Sequence, residues 1–367
     1  MKEIKTDILI IGGGPAGLSA AAEAAGAGAF VLVAEGDLHL GGQLVKQTHK
    51  FFGSKDEYAG TRGFSIANIL RDEIAVYGSR VTTMLNTTAT GYYPEEEVVT
   101  MMIGEEEYMR VYPKKIIVAS GASERLIPFP NNDLPGVYGA GAVQTLMNVY
   151  GITPGKKVLM VGAGNIGLIV SYQLLQAGVE VIAILEGMPS VGGYWVHAAK
   201  VRRLGVPILT RHSIKRALGD DVVTGAEITE VDDKFRPVGS PTEVECDTIC
   251  LAVGLTPSCE LLWQAGCHMK YVPFLCGYVP YRDRYMRTSN TNVWMAGDVG
   301  GIEEASAAMI EGRIAGLSAA ESLGYEIADG KYATLMARLE CLRAGEISEK
   351  IRTGLEAVDV DRGGTGK

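Results

Sequence analysis

The chain carries one construction twice. An apolar run, Ile8 to Ile11, leads into Gly12-x-Gly14-x-x-Gly17, an alanine-rich stretch to Gly28, and a second apolar run, Phe30 to Ala34, closed by Glu35. At an offset of 150 residues, Gly12 against Gly162, the run Val158 to Val161 leads into Gly162-x-Gly164-x-x-Gly167. A helical stretch to Gly178 and the run Val179 to Leu185 come next, closed by Glu186. A run apolar at every position suits a strand covered on both faces, and a helix between two such strands makes a parallel βαβ unit. Two such units predict an α/β chain with two doubly wound, Rossmann-like dinucleotide-binding domains. The 47 glycines, scattered without a low-complexity tract, supply the many tight strand-to-helix turns this requires.

The spacing of each fingerprint is a geometric requirement. The first glycine permits the turn, the second lets a pyrophosphate approach the backbone, and the third lets helix and strand pack closely. The phosphates then meet the helix N-terminus, with its unpaired N–H groups and positive dipole end. The cofactor-binding candidates are Gly12, Gly14, Pro15, Ala16, Gly17 and Glu35 at the first site, and Gly162, Gly164, Asn165, Ile166, Gly167 and Glu186 at the second. Each acid is placed to accept hydrogen bonds from an adenosine ribose. Glu186 would repel a 2′-phosphate, and the stretch Gly187 to Tyr194 holds no base, so NAD(H) is expected there over NADP(H). Lys200, Arg202 and Arg203 come later and read as a solvated helix face. A third element, Thr288 to Asp298, reads as a strand ending in Gly297-Asp298 and leading to a small-residue helix at about 303–323. A carboxylate at that sheet edge suits a ribityl chain, and the helix N-terminus would face a flavin ring, which makes FAD the expected occupant of the first site. Taken alone, Gly-Asp after a strand is also a plain turn.

The formal net charge of −9 argues against nucleic acid or an anionic membrane as partner, since both reward a basic surface. No stretch approaches the roughly 20 apolar residues of a membrane span, and a cytoplasmic location is expected. Six cysteines are present without a Cys-x-x-Cys, so neither a zinc knuckle nor a local redox dithiol is expected, and no metal site. Val244 to Leu251 reads as one strand, which would hold Cys246 and Cys250 roughly 13 Å apart. Cys259 and Cys267 flank a short helical pattern, and packing as small apolar residues is the expected role of all these thiols. Between the two domains, Glu124 to Gly141 reads as an extended crossover. The tail holds one amphipathic helical pattern, Tyr332 to Ala344, then a second helix, and a polar end from 361 to 367 expected to fray.

The order of first fingerprint, Val118-Ala119-Ser120-Gly121-Ala122, second fingerprint and Thr288…Gly297-Asp298 resembles the pyridine nucleotide–disulfide oxidoreductase superfamily. Its small thioredoxin-reductase-like members are the specific likeness, which covers residues 1 to about 325. The resemblance implies an FAD domain split in sequence by an inserted NAD-type domain: 1–123 and 275–330 for FAD, 124–274 for the insertion, and 331–367 as a helical tail. It adds Gly121 and Gly297 to the cofactor site, gives Asp298 the ribityl chain, and sets Gly41-Gly42-Gln43 beside the flavin. The Cys-x-x-Cys of thioredoxin reductases is missing, so dithiol relay is not expected. The segments Gly41 to Gly53 and Leu275 to Pro280 look most like α subunits of heteromeric amine oxidases and dehydrogenases, of the sarcosine oxidase, opine oxidase, dye-linked proline dehydrogenase and hydrogen cyanide synthase types. The C-terminal cysteine cluster that many of these carry is absent, as only Cys341 lies in the tail.

Three residues stand as catalytic candidates near the flavin: Gln43, Lys46 and His49. Histidine is the side chain suited to donate a proton near neutral pH, which makes His49 a candidate proton donor, with a structural role as the plain alternative. A lysine near flavin N1 and C2 favours a reduced, negatively charged ring; the plain alternative for Lys46 is a surface lysine. The leading expectation is an FAD-dependent oxidoreductase acting as the nucleotide-binding subunit of an amine or imino-acid dehydrogenase. A partner flavoprotein subunit or a second copy of the chain is implied, with FMN at a subunit interface as a further cofactor. The alternatives are a self-sufficient NADH-dependent flavoprotein reductase and, in another class, a non-catalytic nucleotide-binding scaffold or redox sensor.

Overall fold

A computed structural model describes residues 2–361; the polar end from 362 onward lies outside the described residues. The chain divides into two compact units, Met1–Ser123 with Thr256–Lys367, and Glu124–Leu255. In the first unit Lys2–Ile11 sits in a seven-stranded sheet, parallel to Val31–Ala34 on one side and to Glu107–Val118 on the other. Val81–Met84 extends the sheet past Val31–Ala34. The long strand Glu107–Val118 has two partners on its far edge. Its first half pairs antiparallel with Val98–Ile103, which pairs on with Thr87–Tyr93; its second half pairs parallel with Val293–Met295. Residues 177 positions apart, Ile116 and Val293, thereby pair in one sheet. Ile8, Leu9 and Ile10 are fully buried, each worth about 1.5–3 kcal/mol of transfer free energy.

The fingerprint helix, Pro15–Ala27, packs on the closing helix, Ala305–Glu321, at backbone contact. A Cβ on Gly312 would collide with the carbonyl of Ala16, and one on Gly316 with that of Ala20. Four residues apart, the two glycines share one helix face, and no larger residue permits this approach.

The second unit is a five-stranded parallel sheet in the order Ile208–Thr210, Glu180–Glu186, Lys157–Val161, Thr248–Leu251, Val137–Gly139. An antiparallel meander, His212–Leu218, Gly225–Val231 and Pro237–Glu245, accompanies it. Alternation along Lys157–Val161 explains the unbroken apolar run. Val158 and Met160 face a core shared with Leu168 and Leu174 of the helix Asn165–Gln176. Leu159 and Val161 face a core shared with Ile214 and Ala226 of the meander.

Three expectations change. Val244 to Leu251 is not one strand: the chain turns at Asp247, whose carboxylate accepts hydrogen bonds from the N–H groups of Lys156 and Lys157 at 2.9–3.0 Å. Cys246 therefore lies just past the meander strand Pro237–Glu245, and Cys250 lies within Thr248–Leu251 of the parallel sheet. The crossover 124–141 is partly regular, since Val137–Gly139 forms the sheet edge and Ala140 opens a helix. Residues 256–274, assigned from sequence to the insertion, pack in the first unit. Leu262, Ala265 and Cys267 join its core, and Gln264 accepts the Tyr92 N–H at 2.9 Å. All six cysteines are unbridged, and burial pushes the Cys246 thiol up to about 12 and that of Cys250 higher still, which suits inert packing.

The tail belongs to the first unit. After the helix Lys331–Leu342, Arg343 binds Glu303 and Glu311 of the closing-helix region, both at 2.6 Å, with all three side chains largely buried. Removing the arginine strands two buried carboxylates. Arg343→Ala is expected to cost roughly 3–5 kcal/mol, read as a lowered urea midpoint at neutral pH, with Arg343→Lys recovering part of the loss.

Candidate functional site

The first site begins where Lys2–Ile11 ends. Gly12 turns with φ 109°, and a Cβ there would collide with the Ala119 carbonyl; one on Gly17 would collide with the Gly12 carbonyl. Gly14 is different: the nearest atom to a Cβ there is the Gly42 Cα at 3.9 Å, so its face is open. Pro15 opens the helix at its first position, and no side chain caps it, which leaves first-turn N–H groups for a ligand. The second site repeats this. Gly162 turns with φ 107° against the Ala252 carbonyl, Gly167 packs on Gly162, and a Cβ on Gly164 would meet nothing within 4 Å. The helix starting at Asn165 is also uncapped. At both sites the residues fit a pyrophosphate.

The likeness of the two sites reaches beyond the fingerprints. Glu35 accepts the Gly13 N–H at 2.7 Å and the Asp37 N–H at 2.8 Å; Glu186 accepts the Ala163 and Met188 N–H groups, each at 2.9 Å. Each carboxylate is thus pinned across the mouth of its loop, and its remaining lone pairs can still accept ribose hydroxyls. The Asp37 carbonyl accepts the Asn86 N–H at 2.9 Å, and that of Met188 the Arg211 N–H at 3.1 Å. Asn86 (φ 50°) and Arg211 (φ 55°) both hold left-handed backbone just before their meanders. A glycine pair stands six and seven residues after each acid. Gly41 donates to the Gly13 carbonyl at 2.8 Å, and Gly193 to that of Ala163 at 3.0 Å. Neither the left-handed residues nor the Gly192-Gly193 latch was expected from sequence; the repeated Gly-Gly after the acid was the available signal.

The closing element reaches the first site through Gly297, whose Cβ would lie 3.0 Å from that of Ala16. Its N–H donates to Glu311 at 2.9 Å, so Arg343, Glu311 and Gly297 form one chain of contacts behind Asp298. Burial pushes the half-buried Asp298 carboxyl up to about 7. The Glu303 N–H at 3.4 Å opposes the shift, while the charges of Glu311 and Glu303 add to it. Gly121 turns with φ 72° next to Ala119, and its carbonyl accepts the Ser258 N–H at 3.0 Å.

Of the catalytic candidates, Gln43 and Lys46 lie on a short 3-10 turn, Gly42–Lys46, set on the fingerprint by Gly42, whose Cβ would fall 2.9 Å from the Gly14 Cα. Gln43 is exposed and Lys46 half-buried. His49 stacks on Phe51, centroids 5.7 Å apart. At the second site Asn165 turns its amide oxygen to the Tyr194 N–H at 2.8 Å, which makes it part of the latch, and Ile166 is partly exposed. The fold also brings a base that the sequence stretch after Glu186 lacks: Arg211, whose guanidinium is held by Asp233 at 2.6 Å. Arg202 and Arg203 are exposed, as expected, and Lys200 lies over the Tyr172 ring. Among the described residues no three His, Cys, Asp or Glu side chains gather to hold a metal ion, and no helix is long and apolar enough to cross a membrane.

Asp298 sets a pH dependence. Folded, it keeps its proton to about pH 7; unfolded, it releases it near 3.8. The folded state binds more protons across that window, so stability falls as pH rises from about 4 to about 7. In flavin-free protein, Asp298→Asn is expected to flatten this part of the urea-midpoint curve relative to wild type; coincident slopes would contradict the assignment.

Comparison with known proteins bears on these sites. The family described as pyridine nucleotide-disulphide oxidoreductase matches residues 6–312. The A subunit of opine oxidase from Rhizobium meliloti is 28% identical over 87% of this chain and 63% of its own length. Hydrogen cyanide synthase subunit HcnB of Pseudomonas protegens is 26% identical over 84% of this chain and 69% of its own length. The alpha subunit of sarcosine oxidase from Corynebacterium sp. is 26% identical over 88% of this chain and 33% of its own length. The chain therefore spans less than two thirds of the first and a third of the last. Among solved structures, L-proline dehydrogenase from P. horikoshii superposes with TM-score 0.70 at 22% identity, covering 92% of this chain and 59% of that one. Thioredoxin reductase from T. acidophilum superposes with TM-score 0.71 at 22% identity, covering 87% and 99%. These two likenesses establish the shared fold.

Proposed function

The chain belongs to the pyridine nucleotide-disulphide oxidoreductase family, and from that premise we propose that it is an FAD-dependent oxidoreductase acting as the nucleotide-binding subunit of a heteromeric amine or imino-acid dehydrogenase or oxidase. One observation carries the reading: two loops, each pinned to its acid by the same pair of hydrogen bonds, with Gly297, and so the neighbouring acid Asp298, seated against Ala16 of the first loop's helix. The Gly12–Gly17 loop and the uncapped helix at Pro15 would hold the pyrophosphate, Glu35 the adenosine ribose and Asp298 the ribityl chain. Bound FAD would supply the two-electron chemistry. Gln43 and Lys46, carried by the turn seated on Gly14, are the polar groups offered at the flavin. At the second site Glu186 would hold the ribose of NAD(H), with Arg211 engaged by Asp233.

The subunit role is supported by the relatives, which are named as subunits, and by the absence of a Cys-x-x-Cys that could pass electrons on. Trp263, Tyr271 and Tyr278 form an exposed edge-to-face cluster, with centroids 5.2 and 5.3 Å apart. Aromatic clusters of this kind are favoured at interfaces, and this one is the proposed partner face. Tyr285 stands apart, edge-on to Tyr332 of the tail. The completeness of the second site favours one other reading, an NADH-dependent reductase needing no partner.

Purified protein is expected to be yellow and to release FAD on denaturation; colourless protein that refuses added FAD would refute the cofactor. Asp298→Ala is expected to weaken FAD binding by about 1.5–3 kcal/mol through loss of a charge-assisted hydrogen bond, read by flavin titration at pH 8, above the midpoint of about 7, where the carboxylate is charged. NADH is expected to bind more tightly than NADPH in calorimetric titration, because Glu186 would face the 2′-phosphate, and the reverse order would remove Glu186 from that role. Proline, hydroxyproline, sarcosine and opines should be tested with an artificial electron acceptor, with and without a co-encoded subunit. Turnover is expected only with the subunit. Efficient turnover by the isolated chain would refute the subunit role, and bleaching by NADH alone would favour the reductase.

A further inference from the structure

The duplication breaks at one place. In the first unit, strands Val98–Ile103 and Glu107–Val118 are joined by three residues, 104–106; in the second, Gly225–Val231 and Pro237–Glu245 are joined by five, 232–236. Both turns leave from the same point, since Gly104 donates to the Asn86 carbonyl and Val231 to that of Arg211, each at 2.7 Å. The longer turn brings Phe235 back over Gly187, the residue directly after Glu186. A Cβ on Gly187 would fall 2.5 Å from the ring. In the first unit the same position, Gly36, is faced instead by the Thr88 hydroxyl, 3.4 Å from such a Cβ.

Phe235 is held by a dense set of contacts. Asp232 accepts the N–H groups of Lys234 at 2.8 Å and Arg236 at 2.9 Å, and the Arg236 Nε–H at 2.8 Å. The Phe235 N–H donates to the Asp232 carbonyl at 2.9 Å, and Asp233 is tied to Arg211. These contacts keep Phe235 at φ 57°, a backbone conformation rare for a bulky side chain. The ring is 58% exposed and so takes no part in the core. An aromatic fixed in strained backbone, in solvent, beside the acid that reads an adenosine ribose, stands where the attached base must lie.

We propose that Phe235 is the adenine platform of the second nucleotide site, its open face stacking on the base. The proposal rests on the reading of the Glu186 loop as a nucleotide site and adds the group that recognises the base. Stacking on an aromatic face is indifferent to the group attached beyond the second phosphate, so ADP-ribose suffices as a probe.

The test is calorimetric titration of flavin-loaded, full-length protein with ADP-ribose, alongside thermal melting. Phe235→Ala is expected to raise the Kd about tenfold, leave the melting temperature unchanged, and be rescued by Phe235→Tyr. An unchanged Kd in Phe235→Ala, with Glu186→Ala still weakening binding, would overturn the platform and leave the site standing. A lowered melting temperature with unchanged Kd would assign the ring to hairpin folding and likewise overturn it. Failure of wild-type protein to bind ADP-ribose would overturn the site itself, and the platform with it.

Discussion

Two helices in the first unit approach until backbone meets backbone, and the first nucleotide site depends on that contact. Gly312 and Gly316 of Ala305–Glu321 lie against the carbonyls of Ala16 and Ala20, and Gly297, just before that helix, lies against the Ala16 side chain. The contact seats Gly297 on the fingerprint helix at Ala16, and with it the neighbouring Asp298, proposed as the ribityl acid. Loop, helix N-terminus and Glu35 form from a single βαβ segment and would exist without it. The proposed ribityl acid would not be held beside it. Behind the contact, Arg343 holds Glu311, and Glu311 holds the Gly297 N–H. The tail thereby braces the site without lining it.

The second unit shows what the same construction looks like without that completion. Its loop, pinned acid and left-handed residue match those of the first unit bond for bond, and its glycine latch does so with the donor shifted by one residue. Such agreement between sequences that differ at most positions argues that ligand geometry, not core packing, sets these backbone paths. Where the units differ, at Asp298 in one and Phe235 in the other, they differ at the group that would meet a distinct part of a distinct nucleotide.

Both fingerprints were legible in the sequence because glycine at Gly12, Gly17, Gly162 and Gly167 answers a local steric demand that no other residue meets. The closing helix was legible from its small residues. The features that were not legible depend on long-range chain paths. The Glu186 stretch holds no base, yet the meander returns Arg211 to it. Residues 256–274 come after the inserted unit in sequence but bury Leu262 and Cys267 in the first unit's core. Val244 to Leu251 reads in sequence as one strand, yet the chain turns at Asp247, whose carboxylate is held by the Lys156 and Lys157 N–H groups. Arg211 and Phe235 carry no residue-type signal for positive φ, and Asn86 only the general tolerance of asparagine for it, so their roles emerge from the backbone.

The claim that helix contact assembles the first site is tested most directly by titrating flavin-free Gly312→Ala protein with FAD, with the circular dichroism spectrum as a control for folding. A Cβ at 312 has no room against the Ala16 carbonyl, so the helices must part and Asp298 must withdraw from the loop. FAD affinity is predicted to fall at least as far as in Asp298→Ala while the spectrum matches that of wild type. FAD bound by Gly312→Ala as tightly as by the wild-type chain would contradict the claim.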